Sequence, residues 1–139
     1  MNYEETLNYI HNIDSSFCKP GLERIKMMCD KVNNPQDDLK FIHVAGTNGK
    51  GSTCAMLNSI LIEEGLTVGL FTSPYLTMFN ERMRVNNENI TNDELVDIIE
   101  EVKPIIDQLI DKPTEFELIT LVGFIYFKKH KLKTHLDVL

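Results

Sequence analysis

Apolar and polar positions alternate between two periods along this chain. Residues 3 to about 12 repeat at helical spacing, and after Pro20-Gly21 a second helix places Leu22, Ile25, Cys29 and Val32 on one face before stopping near Asn34-Pro35. Residues 40–45, KFIHVA, form the short apolar run of a buried strand. A glycine-rich loop follows, then a helix carrying Met56, Leu57, Ile60 and Leu61, which Gly65 closes as a C-cap. TVGLF, residues 67–71, is a second buried strand. From Thr72 to Asn89 no period is sustained, and the stretch holds Pro74, Arg82 and Arg84. A loop that long inside a compact domain is usually functional or disordered. Thr91-Asn-Asp-Glu94 is a capping box, opening a helix with apolar residues at 95, 98, 99, 102, 105, 106 and 109. Pro104 predicts a kink there, because it removes the bond to the Glu100 carbonyl. Thr114-Glu-Phe-Glu117 is a second box, whose helix carries Phe116, Ile119, Thr120, Gly123 and Phe127 along one face. LDVL, residues 136–139, begins a third buried strand. Strands alternating with helices predict an α/β fold with a parallel sheet and flanking helices.

Charge narrows the function. The 139 residues carry 14 basic and 21 acidic side chains, a net −7, which argues against sequence-independent binding to nucleic acid or to an anionic membrane. The basic run Lys128-Lys129-His130-Lys131 with Lys133 reads better as the close of a helix, where cations suit the negative end of its dipole, than as an anion site. The N-terminus has no signal-peptide pattern, and no apolar run reaches membrane-spanning length. Cys18, Cys29 and Cys54 lack CxxC spacing, which fits reduced thiols and a cytoplasmic protein. His43 reads as structural, and His11 and His130 have no metal-ligand partner at suitable spacing.

FIHVAGTNGKGST, residues 41–53, carries the chemistry. A strand, a glycine loop and a helix in that order form a phosphate cradle, in which backbone N–H groups converge on an anion at the helix's positive end. Lys50 stands where a cation meets the β- and γ-phosphates of a nucleotide, and a hydroxyl just inside the helix faces Mg²⁺. The common pattern GxxxxGK[ST] is missed at two positions: Val44 stands for its first glycine and Gly51 for its hydroxyl, which arrives later as Ser52 and Thr53. A tight strand-to-helix turn with an exposed lysine is the plainer alternative.

IHVAGTNGKGS resembles the nucleotide loop of the folylpolyglutamate synthase and dihydrofolate synthase family, within the Mur ligase superfamily, whose GTNGKG is followed by Ser or Thr. GLERI (21–25), FTSPYL (71–76), NERMRVNNENI (80–90) and TEFELIT (114–120) follow in family order, so the likeness covers essentially the whole chain. It implies a P-loop NTPase-like parallel sheet and an ATP-dependent ligase that joins L-glutamate to a folate or dihydropteroate carboxylate through an acyl phosphate, with ATP and Mg²⁺ as cofactors. Such chemistry rests on positioning and charge neutralisation. By this resemblance Gly46, Thr47, Asn48, Gly49, Lys50, Gly51, Ser52 and Thr53 bind ATP, with Lys50 the catalytic cation. Ser73 and Ser52 are the metal-facing hydroxyls; on residues alone, Ser73 would merely open a turn before Pro74. The family usually has histidine where this chain has Tyr75, a flat donor ring that takes up no proton near neutral pH. Arg82 and Arg84 could hold an anionic group through forked donors or be solvated loop arginines. Thr114, Glu115, Phe116 and Glu117 align with a segment that binds the pteridine-bearing substrate, and Lys19 and Pro20 join the same pocket. The competing account makes Thr114 and Glu117 a cap and points Phe116 into the core.

Family members run on past a strand like HLDVL into further metal ligands and a C-terminal domain. The resemblance therefore implies that residues 1–139 are the N-terminal part of a Mur-ligase-type ATPase domain, inactive alone, with the glutamate-ligase domain absent. Its last strand looks cut from its sheet neighbours, and an exposed sheet edge could support an oligomer. A stand-alone nucleotide-binding module, a nonfunctional fragment that folds partly or swaps elements with a second copy, and a piece of a cell-wall amino-acid ligase remain open. So does the choice between adding the first glutamate and extending a polyglutamate tail.

Overall fold

Asn2 starts the first helix: its side-chain oxygen accepts the Glu5 amide at 2.8 Å, while the Glu5 carboxylate accepts the Asn2 amide at 2.9 Å. In the computed structural model, which describes residues 1–16, 19–131 and, as backbone, 134–138, the elements follow in order. They are α1 (Tyr3–His11), α2 (Glu23–Lys31), a 3₁₀ turn (Pro35–Asp38), β1 (Phe41–Val44), α3 (Lys50–Glu63) and β2 (Val68–Phe71). A second 3₁₀ turn (Phe79–Arg82), β3 (Met83–Val85), β4 (Glu88–Asn89), α4 (Asn92–Asp107), α5 (Glu115–Lys129) and β5 (Thr134–Val138) complete the chain. Two compact units result, Met1–Asp37 with Asn92–Tyr126, and Asp38–Thr91 with Phe127–Leu139. Cys18, Lys133 and Leu139 lie outside the described residues.

The first unit is helical. Leu95, Ile98, Ile99, Val102 and Ile106 recur every three or four residues on α4 and are all buried, as the periodicity predicts. With Ile10, Met28, Cys29, Leu118 and Leu121 they form its core, each large side chain contributing about 1.5–3 kcal/mol. Helix α4 continues three residues beyond Pro104. That proline is exposed, so the carbonyl it frees meets water rather than apolar core. Two expectations about inward faces fail. Leu22 is 64% exposed while Arg24 is buried, and Phe116 is 44% exposed rather than in the core. Arg24 goes inward because two carboxylates meet it there.

The second unit holds one mixed sheet in the order β1-β5-β2-β3-β4. Strands β1, β5 and β2 are parallel, with Ile42 and Leu70 both opposite Leu136. Strands β3 and β4 are antiparallel, so the sheet is not wholly parallel as the alternation of elements predicts. The segment read as a long loop contains a hairpin. Val85 pairs with Glu88 across Asn86-Asn87, both at positive φ (47° and 69°). A two-residue turn of this hand matches strand twist, and asparagine tolerates it. The turn is tied down on two sides. Asn86 Oδ1 accepts the Val68 amide at 2.8 Å, and Asn87 Oδ1 accepts the buried Asn58 side-chain N–H at 2.6 Å.

Strand β5 lies between β1 and β2, paired on both sides, which corrects the expectation that its neighbours are missing. Strand β1 is an edge, and its burial alternates. Ile42 and Val44 pack with Cys54, Leu57, Leu61, Ile62, Val68 and Leu70, while Phe41 and His43 are exposed. It is therefore not the doubly buried strand its apolar run implies. Helix α3 likewise turns only Leu57 and Leu61 of its predicted face toward the sheet; Met56 and Ile60 are exposed. Gly65, at φ 85°, ends that helix as predicted.

Candidate functional site

The loop between β1 and α3 is built for an anion. Gly49, at φ 76°, stands at the N-cap of α3 in the left-handed conformation that costs other residues about 1–2 kcal/mol. The first helical bond runs from the Thr53 amide to the Gly49 carbonyl at 3.0 Å. The amides of Lys50, Gly51 and Ser52 precede it and have no intrahelical acceptor. No acidic residue occupies this first turn, so the positive end of the helix stays uncompensated. The Lys50 ammonium folds back to donate to the Gly46 carbonyl, across the loop it closes. Thr47, Asn48, Gly51, Ser52 and Thr53 are all exposed. Among the described residues the structure thus assembles Gly46 to Thr53 into one open, donor-rich turn.

The segment 72–82 closes on itself. The Thr72 amide donates to the Arg82 carbonyl at 2.9 Å, and Arg82 Nη1 donates to Ser73 Oγ at 3.0 Å. The Arg82 guanidinium lies 5.0 Å from the Tyr75 ring centre and 5.5 Å from that of Phe79, and the two rings meet edge to face at 6.1 Å. Such cation–π contacts contribute about 0.5–1 kcal/mol each where exposed. Tyr75 thus serves as a platform for Arg82. Arg84 sits on β3 opposite Leu70, not in a loop.

Glu81, which sequence reasoning passed over, clasps the tip of this segment. Its carboxylate accepts amides from Leu76 at 2.9 Å, Thr77 at 3.2 Å and Met78 at 3.4 Å. These donors, Leu76 first, hold its pKa below the ordinary glutamate range. A carboxyl depressed in the folded state stabilises the loop above its unfolded pKa, about 4.3, and that stability is lost as pH falls through the lower folded value. Amide resonances of Leu76, Thr77 and Met78 are therefore expected to stay fixed as pH falls from neutrality and to shift in a transition centred below the ordinary glutamate value. In Glu81→Ala they should already be shifted at neutral pH.

In the helical unit a third group gathers. Arg24 is 7% exposed. Its Nε and Nη2 donate to Glu117 Oε1 at 3.1 and 2.6 Å, its Nη1 to Asp111 Oδ2 at 2.8 Å, and its Nη2 to the Lys19 carbonyl at 3.2 Å. Hydrogen bonding to Glu117 raises the Arg24 pKa, against the lowering by burial, with Asp111 adding to the rise. The predicted box is present: Glu117 Oε1 accepts the Thr114 amide at 3.0 Å, and Thr114 Oγ1 accepts the Glu117 amide at 3.1 Å. Glu115 meets His11 Nδ1 at 2.8 Å. Lys19, Thr114 and Glu117 are thus brought together by Arg24, with Pro20 next to Lys19 in the chain and an exposed Phe116 on the first turn of α5. Arg24 and Asp111 were missed. The one available signal was an arginine at a helix position that faces inward if its neighbours Met28 and Cys29 do.

Strand, glycine turn and helix, on a sheet whose β1, β5 and β2 run parallel, define an α/β protein with a candidate phosphate-binding turn. No protein-family model matches the chain. It is 42% identical over 135 residues to the dihydrofolate synthase/folylpolyglutamate synthase of Bacillus subtilis, covering 94% of this chain and 31% of that protein. Folylpolyglutamate synthase of Lacticaseibacillus casei is 38% identical over 137 residues, covering 95% of this chain and 32% of that one. The crystal structure of folylpolyglutamate synthase from Thermotoga maritima superposes with a TM-score of 0.90 at 40% identity, over 97% of this chain and 32% of that one. The apo form of the L. casei enzyme gives 0.92 at 37%, over 99% of this chain and 35% of that one. A complex of folylpolyglutamate synthase with AMPPCP and folate gives 0.90 at 35%. The chain belongs to the folylpolyglutamate synthase/dihydrofolate synthase family, and it spans about a third of the length of the relatives it matches.

Proposed function

We propose that this chain is the nucleotide-binding N-terminal part of an ATP-dependent ligase that joins L-glutamate to a folate or dihydropteroate carboxylate through an acyl phosphate. The observation that carries this reading is the Gly46–Thr53 turn, with Gly49 in the left-handed conformation, first-turn amides that have no intrahelical acceptor and Lys50 at the helix start. Gly46, Thr47, Asn48, Gly49, Lys50, Gly51, Ser52 and Thr53 hold the ATP phosphates in a P-loop NTPase-like unit. Lys50 leaves the Gly46 carbonyl for the transferring phosphoryl group, where its charge offsets developing negative charge. Mg²⁺, when bound, draws charge from the phosphate oxygens. Ser73, whose Oγ accepts from Arg82 Nη1 at 3.0 Å, and Ser52, exposed on the first turn of α3, would supply its hydroxyl ligands. Mg²⁺ is a hard ion that keeps several waters and takes further ligands from substrate phosphates. Lys19, Pro20, Thr114, Glu115, Phe116, Glu117 and Arg82 belong to the folate or pteroate side, with the half-exposed Phe116 supplying an aromatic ring to a flat heterocycle.

The family's size implies that metal ligands and the glutamate-binding domain lie beyond these residues, so the 139-residue chain alone is expected to bind Mg·ATP and not to incorporate glutamate. No helix of the described residues is long and apolar enough to cross a membrane. The β1 edge is where a second copy would add. Titration of Mg·ATP by calorimetry, beside a glutamate-incorporation assay, tests this. Absence of nucleotide binding would overturn the assignment of the cradle to this chain, and robust turnover would overturn its dependence on a further domain.

Gly51 separates structural from functional use of glycine. A Cβ there meets nothing within 4 Å, and its backbone is helical. Gly51→Ala is therefore expected to stabilise the chain by about 0.5–1 kcal/mol. If the phosphate passes over this position, Mg·ATP affinity falls about tenfold or more, since the added methyl and the lost close approach act only on the complex. Melting and titration of one variant thus give opposite signs.

A further inference from the structure

We propose that Arg24 is the positioning residue for the heterocyclic end of the folate or pteroate substrate, acting through Glu117 and the Lys19 carbonyl. The inference rests on the reading of Lys19, Pro20 and Thr114–Glu117 as the substrate side. Arg24 satisfies three separate stretches of chain at once: the Lys19 carbonyl, the Asp111 carboxylate and the Glu117 carboxylate. Only the planar, five-donor guanidinium fork can do this; an ammonium is a point charge. Gly21, at φ 131°, turns the chain from Lys19-Pro20 into α2, and a Cβ there would fall 2.3 Å from a Glu23 carboxylate oxygen. The backbone is thus turned so that the Lys19 carbonyl comes back to the side chain five residues on.

The electrostatics point the same way. Glu117 Oε1 already accepts from Arg24 and from the Thr114 amide, while Glu117 Oε2 and Asp111 Oδ1 are buried with no hydrogen-bond partner among the described residues. The Arg24 guanidinium is shared between the Asp111 and Glu117 carboxylates. Buried acceptors of this kind carry a desolvation penalty, and because both oxygens are sealed from solvent a donor-bearing ligand relieves it only by parting the Lys19-Pro20 turn from the first turn of α5. Amino and ring N–H groups of a pteridine are such donors. Arg24 touches no substrate in this account; it sets the spacing between the Lys19-Pro20 turn and the first turn of α5.

The test uses the whole 139-residue chain and compares wild type with Arg24→Lys, which keeps the charge and loses the fork. Pteroic acid binding is followed by ligand absorbance, Mg·ATP binding by calorimetry, and melting by circular dichroism. The expected result is a pteroate Kd raised about tenfold or more, with Mg·ATP affinity unchanged and a melting midpoint within about 5 °C of wild type. Pteroate affinity unchanged in Arg24→Lys would overturn the proposal. So would parallel loss of pteroate binding, nucleotide binding and melting temperature, which would make Arg24 a fold residue only. If wild type binds Mg·ATP and no pteroate, the substrate-side assignment itself fails and the proposal falls with it. In the first two outcomes that assignment survives.

Discussion

Lys50→Ala is expected to weaken Mg·ATP binding to this chain by roughly 10- to 100-fold, the effect of losing one charge-assisted contact of about 1.5–3 kcal/mol to phosphate. The fold should be little affected. Among the described residues the ammonium donates to the Gly46 carbonyl, on an exposed loop, and alanine is the best helix former at the start of α3. Melting should therefore stay within a few degrees of wild type while the calorimetric signal for Mg·ATP is lost or greatly reduced. Lys50→Arg separates charge from shape: a guanidinium keeps the charge but is bulkier and planar, so partial recovery would show that charge dominates. Equal binding by wild type and Lys50→Ala would remove Lys50 from the phosphate site and leave the α3 amides as its basis.

Arg24→Met should be the most damaging single change to stability. Removing one member of a buried ion pair leaves the other charge stranded and typically costs about 3–5 kcal/mol. Glu117, whose side chain is 15% exposed, would be the stranded group; Asp111, 41% exposed, can turn to water. Against a total of about 5–15 kcal/mol for a domain this size, the melting midpoint should fall by roughly 10–25 °C. Combining Arg24→Met with Glu117→Gln should restore part of the loss, because the amide oxygen still accepts the Thr114 amide and carries no charge. A double variant no more stable than Arg24→Met would show that packing of the arginine stem, not the stranded charge, sets the cost. Chemical denaturation of the four species gives the coupling energy directly.

The two variants act on different kinds of information. Lys50 and its glycines were legible from the sequence because a phosphate cradle is local. Strand, turn and helix are contiguous, and Gly49 needs its unusual φ for reasons visible within a few residues. The same holds for the amphipathic stripe of α4, the Thr114–Glu117 box and the Gly65 stop. The Asn86-Asn87 hairpin was also local, yet it was passed over because strands of two and three residues show no period.

What the order of residues determined by itself was the alternation of elements, the anion-binding turn and the family to which both belong. Only the tertiary structure decided that β5 enters between β1 and β2, that β3 and β4 turn the sheet mixed, and that Leu22 faces water while Arg24 goes inside. The reason is range. Backbone conformation and capping depend on neighbours within one or two turns, whereas strand order and the burial of a charge depend on partners far away in sequence. Arg24 meets Asp111 and Glu117, 87 and 93 residues further along, and without them its burial would be prohibitively costly.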